Sequence, residues 1–357
     1  MDRRKIIRGN IQSFTKTIPN DLIIEILSRL TTKSIAICCC VSKQWKSLLR
    51  TPYFTESFLT RSSTRPRILI TFQADGKWHF FSFPQPRNLD KELTRVEPDY
   101  HMSFSGHWDG KRCLSANGFI CRIDISRNVD LRTFFGYDPI GKEYKVLCMT
   151  VPRHSQRVNS KEHQVLTIGK GKLSWRKIVC LFPHYPLNYH QAGICINGVL
   201  YYVAWSVPDK TSLIACFDVR SEEFRCIEMA EGFDKPYTSA LVNYKGKLGA
   251  VIYVDGSHGE LWVLDDTEKK KWSKHNFVLP DMSVQQIEST WATDTDEIAW
   301  VVLCPLRSPF CVFYSNLERK SVRRVVIEGI DEQALMGNRR FSAQVTVRDH
   351  VENVMFL

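Results

Sequence analysis

No C-x-x-C pair occurs anywhere in this sequence, although it holds twelve cysteines. Three of them, Cys38, Cys39 and Cys40, are consecutive inside an apolar helical pattern and read as small buried hydrophobes. The other nine fall singly at positions 113, 121, 148, 180, 195, 216, 226, 304 and 311. Treble-clef, ribbon and RING zinc sites draw their ligands in close pairs, so this arrangement excludes them. No apolar run approaches the ~20 residues of a membrane helix. Met1–Asn10 is charged and no apolar segment of signal-peptide type follows it. The expectation is a reduced, intracellular setting, nucleus or cytoplasm, with no membrane partner.

Catalytic signatures are missing as well. No G-x-S-x-G elbow, P-loop, H-E-x-x-H or dinucleotide glycine fingerprint is present. His154, His163, His184, His190, His258 and His275 fall in polar stretches without metal-ligand spacing and read as surface histidines. Asp265-Asp266 are neighbours whose side chains point apart on a strand or turn, so they do not form a carboxylate pair. The Gly169-Lys170-Gly171-Lys172 cluster reads as a basic hairpin turn between Leu166 and Trp175, not a phosphate cradle. The expectations are no catalytic residue, no metal and no cofactor.

What is present is an ordinary globular composition, 43% hydrophobic and 24% charged. Its net charge of +11 is unevenly placed. Residues 1–65 hold twelve basic and four acidic side chains, a surplus of eight; the remainder holds 37 and 34, a surplus of three. The basic character belongs to the N-terminal segment, which suits an acidic protein partner. No nucleic-acid reader is legible, and no nucleic-acid partner is expected.

Two textures meet near residue 65. Leu22, Ile23, Ile26, Leu27 and Leu30 recur at helical spacing after Pro19, Asn20 and Asp21. Thr31-Thr32 interrupts that stripe and offers a cap for a second helix containing Ile35 and Ile37. Ser42 caps a third, with Trp45, Leu48 and Leu49 inward, stopped by Thr51-Pro52; Tyr53, Phe54, Phe58 and Leu59 add a further apolar turn. Three helices in so short a segment cannot bury this much apolar surface alone, so part of it is expected to lie against another protein.

The strings Ile18-Pro19-Asn20-Asp21-Leu22, Glu25-Ile26-Leu27-Ser28-Arg29-Leu30, Lys33-Ser34-Ile35, Cys40 to Leu49 and Pro52-Tyr53-Phe54 closely resemble an F-box of the plant type. Two departures stand out: Ile18-Pro19 where the family has Leu-Pro, and Leu30-Thr31 where it has Leu-Pro at the helix break. Loss of that second proline is expected to soften the corner. The resemblance implies docking onto a Skp-type adaptor, and through it onto cullin and RING subunits. By motif position the adaptor-binding residues are Ile18, Pro19, Leu22, Ile26, Leu30, Ile35, Val41 and Trp45, some touching the adaptor and others holding the helices at their angles.

Beyond Arg67 short β-branched and aromatic runs alternate with turns. Gly118 leads to Asp138, Gly198 to Asp218, Gly246 to Asp265 and Asp296 to Asn316, at offsets of 20, 20, 19 and 20 residues. The turn residues Asp138, Asp218 and Asp265 are followed by Tyr144, Phe224 and Trp272. Successive units are 80, 47 and 51 residues apart, and the long step leaves room for a degenerate unit at Val165–Ile178. A repeat near 50 residues built from strands points to propeller blades, with an open barrel as the alternative. After an F-box, this stretch resembles the F-box-associated domain of plant F-box proteins, similar to kelch propellers.

The expected chain is therefore α+β and multidomain: a basic, flexible N-terminus at 1–14, a three-helix F-box at 15–60, a linker at 61–66, and a mainly antiparallel, propeller-like β-domain at 67–355. Its expected role is substrate receptor of an SCF-type ubiquitin ligase, holding an unknown protein substrate. A propeller-type small-molecule sensor or enzyme, or a non-ligase adaptor-binding protein, stays open. Loops at 101–109, 153–163, 184–190, 255–259 and 306–310, with Trp108, Arg153, Tyr185 and Tyr189, are the substrate-binding candidates.

Overall fold

The structure is a computed structural model that describes residues 18–74, 76–86, 93–105, 113–122, 130–151, 162–169, 173–187, 193–207, 211–230, 239–267, 270–280, 287–302, 310–330 and 346–354. The described chain forms two compact units, one of residues 18–64 with 352–354 and one of residues 65–351. The expected N-terminal extension 1–14 lies outside the described residues.

The first unit holds α1 (Asn20–Leu27), α2 (Thr32–Val41), α3 (Lys43–Leu49) and α4 (Pro52–Ser63). Each break is set by a side chain that accepts an otherwise orphaned amide. Thr31 Oγ1 accepts from Ser34 N at 3.4 Å, Ser42 Oγ from Gln44 N at 3.2 Å, and Thr51 Oγ1 from Phe54 N at 3.3 Å. Pro52 occupies the first turn of α4, where its missing N–H costs nothing. The run from Tyr53 to Leu59 thus belongs to a twelve-residue helix rather than to a single turn. That helix also absorbs Arg61–Ser63, so the linker expected at 61–66 is shorter than thought.

Ile23, Ile24, Leu27, Ile35, Leu49, Phe54 and Phe58 form the core of this unit, and Val354 joins them at 3% exposure. Glu352 Oε1 accepts from Thr32 N at 3.0 Å. The end of the β-domain, expected at 355, is corrected accordingly: residues 352–354 complete the helical unit. The corner lacking its proline is tied by Thr31 from one side and Glu352 from the other. Of the three consecutive cysteines, Cys38 and Cys39 are half-buried and Cys40 is exposed, so the expectation that all three are buried fails.

The second unit is built of five antiparallel blades. Blade I orders β24 (Thr346–His350), β1 (Arg67–Ala74), β2 (Lys77–Pro84) and β4 (Asp99–Ser105). Blade II orders β10 (Trp175–Ile178), β9 (Glu162–Ile168), β8 (Glu143–Val151) and β7 (Asp130–Asp138). A separate hairpin joins β5 (Cys113–Ala116) to β6 (Phe119–Arg122). Blade III orders β11 (His184–Pro186), β13 (Val199–Ser206), β14 (Ser212–Asp218) and β15 (Phe224–Glu228), with β12 (Ile194–Ile196) also on β13. Blade IV runs β16 (Ser239–Tyr244), β17 (Lys247–Tyr253), β18 (His258–Asp266) and β19 (Lys271–Val278). Blade V runs β20 (Ile287–Ala292), β21 (Glu297–Val302), β22 (Cys311–Asn316) and β23 (Ser321–Ile327), and β3 (Leu93–Val96) pairs parallel to β23.

Apolar clusters join successive blades. Ile70 and Phe72 of blade I pack with Val312 and Tyr314 of blade V; Trp300 of blade V packs with Val251 and Phe277 of blade IV. Leu248 of blade IV meets Ile196 and Ile214 of blade III, and Phe217 of blade III meets Phe134 and Leu147 of blade II. Trp78 of blade I packs with Ile120 of the β5–β6 hairpin, whose Phe119 lies edge-on to Tyr144 of blade II at 4.8 Å. The open-barrel alternative is set aside.

The repeat in the sequence has a physical basis. Asn117-Gly118, Asn197-Gly198 and Lys245-Gly246 each place two successive residues at positive φ, the geometry of the tight hairpin turn that matches strand twist. About twenty residues later a carboxylate or amide closes the next turn. Asp138 Oδ1 accepts from Ile140 N at 2.9 Å, Asp218 Oδ1 from Ser221 N at 2.8 Å, and Asn316 Oδ1 from Arg319 N at 2.8 Å. The degenerate unit expected at Val165–Ile178 is not a blade. It is the outer hairpin of blade II, with Leu166 opposite Trp175; residues 170–172 of the expected basic turn lie outside the described residues.

Candidate functional site

Helix α1 is apolar on two sides. Ile23, Ile24 and Leu27 turn inward, while Leu22 and Ile26, four apart, are 53% and 56% exposed, and Ile18, just ahead of the helix, is 56% exposed. Helix α2 repeats the device: Ile35 is fully buried, whereas Ile37 and Val41, again four apart, are exposed. Tyr53 at the start of α4 is exposed too. A helix that is apolar all round is stable only when all of it is covered. Six large apolar side chains on so small a unit leave a surface that only another macromolecule can dry.

The predicted adaptor residues therefore divide in two. Ile18, Pro19, Leu22, Ile26 and Val41 stand outward and are available to a partner. Ile35 belongs to the core, and Leu30 and Trp45 are half-buried against it. Ile37 and Tyr53 were missed; the signal was their position four residues before Val41 and directly beside Pro52.

Exposed charge on this unit is mostly positive, with Asp21 and Glu56 the exposed acids among the described residues. Arg29, Lys33, Lys43, Lys46 and Arg50 are all exposed. Glu25 is tied up: its carboxylate accepts from Arg29 at 2.5 Å and from Arg61 of α4. Hydrogen bonds from Arg29, then from Arg61, hold its carboxyl below the usual range.

Of the substrate-binding candidates, Trp108, Arg153 and Tyr189 lie outside the described residues. Tyr185 sits in β11 opposite Trp205 and is half-buried, so it is a strand residue rather than a loop contact. The loop expected at 101–109 begins inside β4, and that at 184–190 begins inside β11.

The histidine reading needs a larger correction. His258 and His275 are exposed as expected, but His163 in β9 is 8% exposed and His184 in β11 is 1% exposed. Burial pushes the His184 imidazole down to about 4 and lowers that of His163 as well. The Cys180 sulfur lies within 4.8 Å of a ring nitrogen of each, its thiol pushed up by burial. The pattern Cys180-x-x-x-His184, with His163 facing Ile178 across the β9–β10 hairpin, is the signal that went unread.

A helical unit with an outward apolar face, followed by a five-bladed propeller, defines a two-module binding protein. Residues 17–57 match the F-box domain, and residues 124–351 match the F-box associated beta propeller domain. Two Arabidopsis thaliana chains named as F-box proteins, At1g46840 and At1g46984, are 46% and 45% identical over all of this chain and cover 80% and 100% of those relatives. The Arabidopsis F-box protein DOR is 37% identical over 99% of this chain and 97% of its own. Among solved structures, a dipeptidyl aminopeptidase IV from Bacteroides ovatus aligns over 71% of this chain and 43% of its own, at 12% identity and a TM-score of 0.33, a likeness too weak to assign anything. The chain belongs to the F-box proteins that carry an F-box associated β-propeller domain.

Proposed function

We propose that the chain is the substrate-recognition subunit of an SCF-type ubiquitin ligase. Its helical unit docks on a Skp-type adaptor that brings cullin and RING subunits, and its propeller holds a protein target. No chemistry is assigned to the chain itself. Its contribution is proximity, raising the local concentration of target lysines near the conjugating enzyme. The nucleus or cytoplasm is the setting this role requires, and no helix among the described residues is long and apolar enough to cross a membrane.

The observation that carries the reading is the outward set of Leu22 and Ile26 on α1, Ile18 just before it, and Ile37 and Val41 on α2. Each such side chain contributes roughly 1.5–3 kcal/mol on full burial, so four or five supply a firm interface after association costs. The surplus of exposed lysines and arginines on the same unit favours an acidic adaptor surface.

The test is a Leu22→Asp, Ile26→Asp double variant. Both positions are exposed, so the helical core is left intact, whereas Leu30→Asp would disrupt it. Adaptor affinity should fall by at least about 100-fold, as loss of two central anchors requires, with the circular dichroism of the chain unchanged. Undiminished adaptor binding by the folded variant refutes the docking face. Adaptor bound without cullin in the same complex would instead make the chain a sequestering protein.

A further inference from the structure

The strongest feature outside the helical unit is the junction between blades II and III. One ring nitrogen each from His163 and His184, and the Cys180 sulfur, lie within 4.8 Å of one another, and both imidazoles are more than nine-tenths buried. We propose that His163, Cys180 and His184 form a zinc site that clamps blade II to blade III.

The distances suit it. Ligand atoms of a tetrahedral zinc shell stand about 3.4–3.6 Å apart for metal–nitrogen and metal–sulfur bonds of ordinary length. Cys180 Sγ and His184 Nδ1 are already 3.7 Å apart. His163 needs to close by no more than about 1 Å to complete the triangle, well within a side-chain adjustment. Two imidazoles and a thiolate are a borderline-soft donor set, which zinc takes and calcium or magnesium refuses.

The second observation is an unsatisfied group. His163 Nε2 is buried with no hydrogen-bond partner among the described residues. Leaving such an atom unpaired costs roughly 1–3 kcal/mol, so a fold that retains it calls for an acceptor of its lone pair. A cation meets that demand. Its neighbours are aromatic: Phe182 stacks on His184 at 4.3 Å and Phe224 lies edge-on to His163 at 5.3 Å. Such walls exclude water and strengthen the bond to any ion that enters.

The surrounding hydrogen bonds hold the Nδ1–H tautomer without metal and can accept the switch that zinc requires. Without metal, His184 Nδ1–H donates to the Phe182 carbonyl at 3.1 Å, the Tyr202 hydroxyl donates to His184 Nε2 at 2.7 Å, and the Cys180 thiol donates to the same carbonyl at 3.2 Å. With zinc on Nδ1 both hydrogen bonds to the Phe182 carbonyl break. That oxygen, 3.1 Å from Nδ1 and 3.2 Å from Cys180 Sγ, turns to the ion as the fourth ligand. The imidazole proton moves to Nε2, which then donates to Tyr202. The Tyr202 hydroxyl is free to turn to Met149 Sδ, 3.9 Å away. Cys180 gives up its proton to solvent as the thiolate binds zinc, so one proton leaves per ion bound. Tyr202 is a positioning residue, orienting His184 through its second nitrogen.

The test uses the full chain stripped with a chelator and then dialysed against zinc, with unbound metal removed. The wild type should retain one zinc per chain and melt at a higher temperature with zinc than with chelator. Cobalt in its place should give a thiolate charge-transfer band together with tetrahedral ligand-field bands. Cys180→Ser should abolish the charge-transfer band and stoichiometric uptake, and Tyr202→Phe should weaken zinc binding by about 10–100-fold while keeping the band. Should a variant fail to fold, the wild type alone decides. A melting temperature that is the same in zinc and in chelator, or zinc retention by the wild type no greater than by a folded Cys180→Ser chain, overturns the site.

Discussion

At the scale of single residues, two buried charges fix the propeller more firmly than any surface pair. Arg323 and Glu297 are 6% and 1% exposed and meet through two hydrogen bonds, Nε to Oε1 at 2.8 Å and Nη2 to Oε2 at 2.7 Å. The guanidinium also lies over the Tyr314 ring at 3.9 Å and donates to the Pro86 carbonyl at 2.9 Å. Removing one partner leaves the other charge uncompensated in the interior. Glu297→Ala should therefore cost about 3–5 kcal/mol of β-domain stability, read by denaturant melts. Exposed Lys177–Glu162, by contrast, should be nearly silent when either is changed, within about 1 kcal/mol.

Glu222 gives the pH counterpart. Its burial raises its pKa, but hydrogen bonds from Arg176 and Lys145 outweigh that and hold the carboxyl below its ordinary value. A depressed carboxylate contributes stability that is present above the unfolded pKa and lost as pH falls through the folded one. Blade II, which holds Arg176 and Lys145, should thus loosen against blade III as acid is added below the usual glutamate range. Glu222→Gln should flatten that stretch of the stability–pH curve; an unchanged slope would show the pair to be inert.

At the scale of elements, the helices were legible because their signals are local. Thr31 and Ser42 mark their own helix starts in any context, and each does so here; Thr51-Pro52, expected only as the stop of the third helix, also caps a fourth, one more than the three expected. The side a residue faces was less legible. Leu22 and Ile23 are adjacent and equally apolar, yet one is exposed and one is core, because α1 carries two stripes and periodicity alone cannot say which is covered by its own fold. His163 and His184 were misread for a related reason. His163 follows a polar stretch, and although His184 stands between Phe182-Pro183 and Tyr185-Pro186, only the pairing of β9 with β10 and the entry of β11 into the next blade bury the two together. The turn glycines and aspartates were readable because backbone conformation dictates them; the grouping of strands into blades was not, since the 80-residue step holds one blade's outer hairpin and the next blade's edge strand.

Glu352 belongs to this scale too. Its carboxylate receives an amide at the N-terminus of α2, where the aligned peptide dipoles favour negative charge. Glu352→Ala should destabilise the helical unit by about 1 kcal/mol, the usual worth of a cap, and hydrogen exchange at the first turn of α2 should report it. Protection there equal to wild type would show that Thr31 alone suffices.

At the scale of the whole molecule, one short C-terminal stretch completes both units. Strand β24 pairs with β1 over Arg67–Thr71 and so closes blade I with the far end of the chain. Four residues later Val354 fills the helical core. The arrangement has a consequence for truncation. A chain ending at residue 351 keeps β24 and should keep a cooperatively folding propeller. It loses Val354 and Glu352, which together contribute roughly 2–4 kcal/mol to a unit with little core to spare, so adaptor binding should weaken while the β-domain melt stays put. A chain ending at residue 345 loses β24 as well, exposing the β1 edge, and its propeller should melt earlier and aggregate. If both truncations behave alike, the C-terminal residues do not divide their work between the units. Adaptor binding by the 351-residue chain at full strength would show that the helical core closes without Val354.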